Sequence, residues 1–318
     1  MSARRMLAWL VVMGPWWPAL IVWALLRHPL GPNALVDWYL RTSPVISAAW
    51  FAGVYAVILY IGSLITRNAS IFDFNWSMLP ASVYVLHFGY HPLAAPDDLR
   101  RYLVIAAVWI WSLRLTGNWL IKGGLGFEDF RYIRFRQTMS PVVFQLFSFT
   151  ALFIVQSAMV LVMTLPIWYA FKQRGAPVGI LDGVALAVCL GGVAVETVAD
   201  LQARAFRAAR DERMRTHPAD FEGSPPKYPR FPTEGLWRYS RHPNYFGEIS
   251  VWWGIYLFSV AATGDWLNWT IIGPLTINGL FVGGSIGITE QHELRRKPEY
   301  ADYQRATSRL IPWWPSKR

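Results

Sequence analysis

Gly235-Leu-Trp-Arg-Tyr-Ser-Arg-His-Pro-Asn-Tyr-Phe-Gly-Glu248 gathers two arginines, a histidine, two tyrosines, an asparagine and a carboxylate into fourteen residues. Pro243 has no N–H and biases His242 toward an extended conformation, so no helix runs through the middle. From Asn244 the pattern reads as the first turn of an apolar helix that continues through Val251-Trp-Trp-Gly-Ile-Tyr-Leu-Phe258. A polar, cationic turn therefore stands where a hydrophobic helix begins. Helix N-termini favour anions, and arginine binds phosphate in a bidentate way. The plainer alternative is a positively charged connector at a membrane surface.

Composition agrees with helices in a bilayer. The chain has 318 residues, 54% of them hydrophobic, with 18 Trp and a mean hydropathy of +0.26, values that suit a polytopic membrane protein. The formal charge of +10 would ordinarily raise nucleic-acid binding. Here the basic residues lie between apolar runs, so membrane topology explains them and no nucleic-acid partner is expected. The single cysteine, Cys189, excludes an internal disulfide and a Cys-rich metal site, and no metal is expected.

Working outward, eight stretches are long and apolar enough to span a core of roughly 30 Å: 7–26, 46–65, 76–93, 102–121, 142–165, 179–200, 245–262 and 266–288. The third is interrupted by Pro80, His87 and Gly89. The first follows Arg4 and Arg5 but lacks a cleavage site, so it reads as a retained helix. The expected fold class is all-α, a polytopic helical bundle of about eight transmembrane helices. With the N-terminus in the cytoplasm, the outside loops hold only Arg27, Arg41, Arg100, Arg101, Lys172 and Arg174 of the 30 basic residues. That bias puts both ends in the cytoplasm, with a bacterial inner membrane as the expected location. Ala34-Leu-Val-Asp-Trp-Tyr-Leu40 reads as a small amphipathic piece, and Lys227-Tyr-Pro-Arg-Phe-Pro232 as extended chain.

Charged groups in or beside a span are costly and point to function. Arg114 lies deep in the fourth stretch, with Asn118 one turn later on the same face and Lys122 beyond. Snorkelling or pairing with a carboxylate is the structural alternative for Arg114. Glu196 and Asp200 share a face near the end of the sixth stretch, followed by Arg204 and Arg207. Ile71-Phe-Asp-Phe-Asn-Trp-Ser77 sets Asp73 among aromatics, either as a helix cap or as a carboxyl group facing a cavity. Gly126-Phe-Glu-Asp-Phe-Arg-Tyr132 reads as a loop ordered by ion pairing. The segment from Thr289 onward is basic and amphipathic, reads as docked at the membrane surface, and carries His292.

Taken in order, the Glu196-x-x-x-Asp200 helix end, the Arg241-His-Pro-Asn-Tyr-x-Gly-Glu248 turn and the tail from Tyr300-x-x-Tyr303 to Leu-Ile-Pro312 resemble the membrane-bound steroid 5α-reductase family. The nearest branch is its bacterial members of formerly unknown function. The resemblance covers about residues 46–318 and implies a seven-helix reductase domain there. Residues 1–45 would then add an N-terminal transmembrane helix and loop.

The resemblance implies NADPH-dependent reduction of a carbon–carbon double bond conjugated to a ketone, in a hydrophobic steroid-like or other lipid substrate. It implies a cofactor site drawn from Arg114, Asn118, Glu196, Asp200, Arg204, Arg207, Tyr239, Arg241, His242, Asn244, Tyr245, Glu248 and His292. Trp111 stands near where the family's eukaryotic members place a ketone-polarising tyrosine, and Glu196 stands where they have asparagine. Asp73 is the candidate proton donor and Tyr84 a candidate hydrogen-bond donor to the carbonyl oxygen. No Gly-x-Gly-x-x-Gly fingerprint is present, so the cofactor device is not a Rossmann fold. A rival reading is an S-adenosylmethionine-dependent membrane methyltransferase of the isoprenylcysteine type, which shares an Arg-His-Pro-x-Tyr turn. The arginine cluster argues against it, because that cofactor carries no phosphate. A transporter or lipid-binding protein is a third reading, and the lack of an internal repeat counts against it.

Overall fold

The computed structural model describes residues 34–91, 99–124, 128–173, 177–222 and 226–316. Every regular element among the described residues is helical. The amphipathic piece expected near Ala34 is helix α1 (Ala34–Arg41). Helix α2 (Pro44–Thr66) begins with proline in its first turn, where a missing N–H leaves no gap, and stops where Arg67 turns left-handed (φ 56°). A 3-10 turn (Ala69–Phe72) follows, its Ser70 N–H taken by the Asn68 side chain.

Helix α3 covers residues 75–90, with a π-helical stretch at Leu79–Tyr84. Pro80 lies in that stretch and lacks the N–H that regular α-helical bonding requires. Helix α4 (Leu99–Ile121) is followed by α5 (Phe130–Thr138), which Asp129 caps. Helix α6 (Pro141–Lys172) starts from a Ser140 cap and contains a second π stretch, Ser148–Val155. Helix α7 (Ile180–Thr216) is 37 residues long, apolar in its first half and highly charged in its last turns. Then come α8 (Pro243–Thr263), α9 (Trp269–Arg296) and the short α10 (Tyr300–Ala306).

Five of these helices are long and apolar enough to cross a membrane: α2, α4, α6, α7 and α9. Their outward faces are apolar; on α2, Ile46, Trp50, Val54, Ile58 and Ile61 are all exposed, as lipid-facing positions would be. The chain is thus a helical membrane protein, but the expected count of about eight spans is not reproduced. Stretch 7–26 lies outside the described residues. Stretch 76–93 becomes α3, whose sixteen residues reach only ~24 Å at 1.5 Å per residue. Stretch 245–262 does form a helix, but Glu248, two serines and the polar edges of its tryptophans and two tyrosines dilute its apolar character.

The chain divides into two compact units. The first holds residues up to Leu186 together with Ile255–Gly273. Within it α2 packs along α6, and α3 lies against α2, α4 and α6. A buried ion pair ties the start of α4 to the start of α7, Arg100 Nε donating to Asp182 Oδ1 at 2.6 Å. The second unit holds Ala187–Gly254 and Pro274–Arg318. There α7 and α8 approach backbone to backbone at Gly192 and Gly247; a methyl group on Gly192 would stand 2.6 Å from the Gly247 carbonyl oxygen.

Candidate functional site

In the first unit, two stretches that read separately in the sequence form one cluster. Asp73 follows the 3-10 turn and is partly buried. Tyr132, buried on α5, donates its O–H to Asp73 Oδ1 at 2.9 Å. The residues just before α5 are fastened to the same turn. Glu128 accepts the Ala69 N–H at 2.8 Å, and Ser70 Oγ accepts the Asp129 N–H at 2.8 Å. Asp129 accepts the Arg131 N–H at the helix start and also holds the Arg131 guanidinium at 2.8 Å. Arg136 reaches back to Glu128 at 2.7 Å.

Burial pushes the Asp73 carboxyl up to about 6, against the opposing pull of Arg131, of the Tyr132 hydrogen bond and of Ser70, with Asp129 adding to the rise. Asp73 ends the 3-10 turn, and its side chain does not cap the start of α3, where Phe74 stands at the cap position. It receives a phenol from another element, which leaves it available as a weak acid.

Tyr84 lies at the end of the π stretch in α3 and is fully buried. Its ring stacks on Phe88 at 6.2 Å. Its hydroxyl has no hydrogen-bond partner among the described residues. Arg114 and Asn118 are partly buried on α4, and Trp111 on the same helix is buried.

In the second unit, the turn quoted at the outset folds inward. Arg241 donates from Nε to Glu290 Oε1 at 2.7 Å and from Nη1 to the carbonyls of Gln304 (2.6 Å) and Thr307 (2.7 Å). His242 Nε2 stands 3.1 Å from the same Glu290 oxygen. The His242 ring stacks on Tyr245, and Tyr245 stacks on Phe281 at 4.4 Å. Tyr239 packs edge-on against Trp314 and accepts the Trp313 N–H. Tyr303 donates to the Trp237 carbonyl, and Phe231, Tyr300 and Tyr303 form a small apolar core there.

The turn is thus a brace between the start of α8, the end of α9 and the C-terminal segment. Three of the five guanidinium N–H groups of Arg241 are taken internally, so this arginine, expected at the cofactor, has a structural role as well. Sequence reading missed this role because Glu290 was not linked to Arg241. The spacing of the two in the chain carries no signal.

The other expected residues of this unit divide by environment. Glu196 is buried, with its Cγ where a methyl group on Gly247 would fall. Glu248 is buried and accepts the Trp252 indole N–H at 3.0 Å. Asp200, Arg204 and Asn244 are partly buried, and Arg207 is exposed. His292 is partly buried, 3.4 Å from Arg296 Nη1. Among the described residues no group of three or more His, Cys, Asp or Glu side chains is arranged to hold a metal ion.

Residues 59–307 match the family described as "Protein of unknown function (DUF1295)". The chain belongs to this family. An uncharacterized protein of Schizosaccharomyces pombe is similar to this DUF1295 chain at 32% identity over 289 residues, covering 89% of the chain and 83% of that protein. No solved structure matches. The DUF1295 region takes in every candidate site residue from Asp73 to His292 and leaves out α1, the start of α2 and the last residues of the tail.

Proposed function

We propose that this DUF1295 protein reduces a carbon–carbon double bond conjugated to a ketone in a hydrophobic, steroid-like or other lipid molecule, with NADPH as the reductant. The observation that carries the reading is the Tyr84 hydroxyl, fully buried and without a partner among the described residues. Its helix neighbours Ala81, Val83, Val85 and Phe88 are apolar and buried. A buried donor without an acceptor costs about 1–3 kcal/mol, which a ketone oxygen would offset. A donor aimed at that oxygen also stabilises the charge that develops there during reduction.

Asp73 supplies the proton. With its carboxyl raised to about 6, a minor protonated fraction persists at neutral pH. NADPH, when bound, supplies the hydride. Its phosphates suit the arginines of α7: Arg207 is exposed and has no ion-pair partner among the described residues, and Arg204 lies one turn before it. Asn244 offers an amide in the first turn of α8, with no hydrogen bond of its own among the described residues. Arg241 and His242 keep that turn rigid. The basic stretches flanking the spans favour cytoplasmic ends, the side on which NADPH is found.

Titrating the tryptophan fluorescence of the detergent-solubilised protein tests the class. Saturable quenching by NADPH, with NADPH oxidation on adding a 4-ene-3-one steroid in mixed micelles, is the expected result. Saturation by S-adenosylmethionine with no response to NADPH would replace the reductase with a methyltransferase.

A further inference from the structure

We propose that Tyr132 is the positioning residue of the Asp73 acid, fixing from the start of α5 which carboxyl oxygen carries the proton. This rests on the reading of Asp73 as the proton donor. A phenol has one O–H, and Tyr132 gives it to Asp73 Oδ1 at 2.9 Å. An oxygen that accepts in this way serves as the carbonyl oxygen of the neutral acid, which leaves Oδ2 to bear the proton. The donor of the acid is thereby given one direction.

The device depends on how the loop is fixed. Tyr132 lies 59 residues from Asp73 in sequence. Two bonds from the 128–129 backbone and side chains to Ala69 and Ser70 hold the loop against the turn that precedes Asp73. The phenol is buried, and the Gln156 side chain on α6 also approaches it. Four groups face the carboxyl: Arg131, Asp129, Tyr132 and Ser70. Arg131 is the one nearby cation that could ionise Asp73 outright, and Asp129 takes its guanidinium with two hydrogen bonds. The phenol bond gives the acid its direction, while Arg131 and the Ser70 hydroxyl also hold the carboxyl down and Asp129 opposes them.

Tyr132→Phe removes one oxygen and keeps the ring that packs in the cluster. The phenol bond favours the carboxylate over the acid, so its loss moves Asp73 toward higher pH by about one unit. Two readouts follow. The first is the alkaline limb of the kcat/KM profile with a 4-ene-3-one steroid and NADPH. The second is the infrared carboxyl C=O band that disappears in Asp73→Asn, titrated without substrate. Both are expected to shift upward in Tyr132→Phe, and less so in Ser70→Ala, which removes the weaker Ser70 hydrogen bond to the carboxyl and leaves the phenol in place. A band midpoint unchanged in Tyr132→Phe overturns the positioning role whatever the activity does. A band that moves, in a protein whose Asp73→Asn variant still reduces the enone at the normal rate, removes Asp73 from the reaction and the positioning role with it. That second outcome leaves the NADPH-reductase reading to the binding titration.

Discussion

Arg241 Nε and Glu290 Oε1 are 2.7 Å apart, and both side chains are buried. This pair joins the turn before α8 to the end of α9, and Arg241 then reaches two carbonyls of the C-terminal segment. Removing one partner of a buried ion pair strands the other and costs about 3–5 kcal/mol. Arg241→Ala is therefore expected to lower the unfolding midpoint and to expose the Tyr300–Ala306 region to limited proteolysis. A wild-type midpoint and digestion pattern would show that the brace is not used.

Arg207 gives the contrasting case. It is exposed on α7 with no partner among the described residues. Arg207→Ala should keep the wild-type melting midpoint and weaken NADPH binding about tenfold, the scale of one lost charge-assisted contact. Equal affinity of the two proteins in a fluorescence titration would take Arg207 out of the cofactor site.

Gly191 and Gly192 are neighbours with opposite surroundings. A methyl group on Gly192 meets the Gly247 carbonyl oxygen at 2.6 Å, whereas one on Gly191 meets nothing within 4 Å. Gly192→Ala should destabilise by about 1–3 kcal/mol through overpacking. Gly191→Ala should be neutral or gain up to about 1 kcal/mol from helix propensity. Thermal melts in one detergent compare the two directly, and equal melts would deny the close approach of α7 and α8.

The Arg100–Asp182 pair is nearly inaccessible, with side-chain exposures of 2% and 1%. Asp182→Ala should cost about 3–5 kcal/mol, because the guanidinium keeps its burial and loses its counter-charge. Replacing both residues with apolar ones of similar size should recover much of that loss. A double variant as unstable as the single one would mean that packing, rather than charge, holds the two helix starts together.

Asp73 makes stability depend on pH in a definite direction. Its carboxyl is raised by burial from the usual 3.8 to about 6, so the folded state binds more protons than the unfolded state between those values. Stability is therefore expected to fall as pH rises from about 4 to about 6 and to level off above. Asp73→Asn should remove this component. Melting midpoints measured from pH 4 to 8 check it, and a variant curve parallel to wild type would assign the slope to other groups.

Much of the helical layout was legible. The amphipathic stretch from Ala34 and the apolar helices α2, α4, α6, α7 and α9 overlap the stretches expected for them, and α8 begins at Pro243, one residue before the expected Asn244. Among the described residues the shortfall lay in α3, where Pro80 and the π stretch leave a helix too short to span, and in α8, whose polar residues dilute its apolar character. The cluster of Asp73 with Tyr132 was not legible, since each half had a plausible local reading as a cap or an ion-paired loop. Arg100 was counted as a loop charge and is in fact buried against a partner 82 residues away.

By itself the sequence determined that this chain lives in a bilayer as helices, because transfer of apolar side chains and satisfaction of backbone polar groups depend on composition along each segment. It also marked the polar residues that such a setting makes costly. Helix packing settled which of them are paired within the fold, as Arg241 and Arg100 are, and left the Tyr84 hydroxyl buried without a partner among the described residues. Partners that meet across dozens of residues are chosen by helix packing, and no local pattern of side chains encodes that choice.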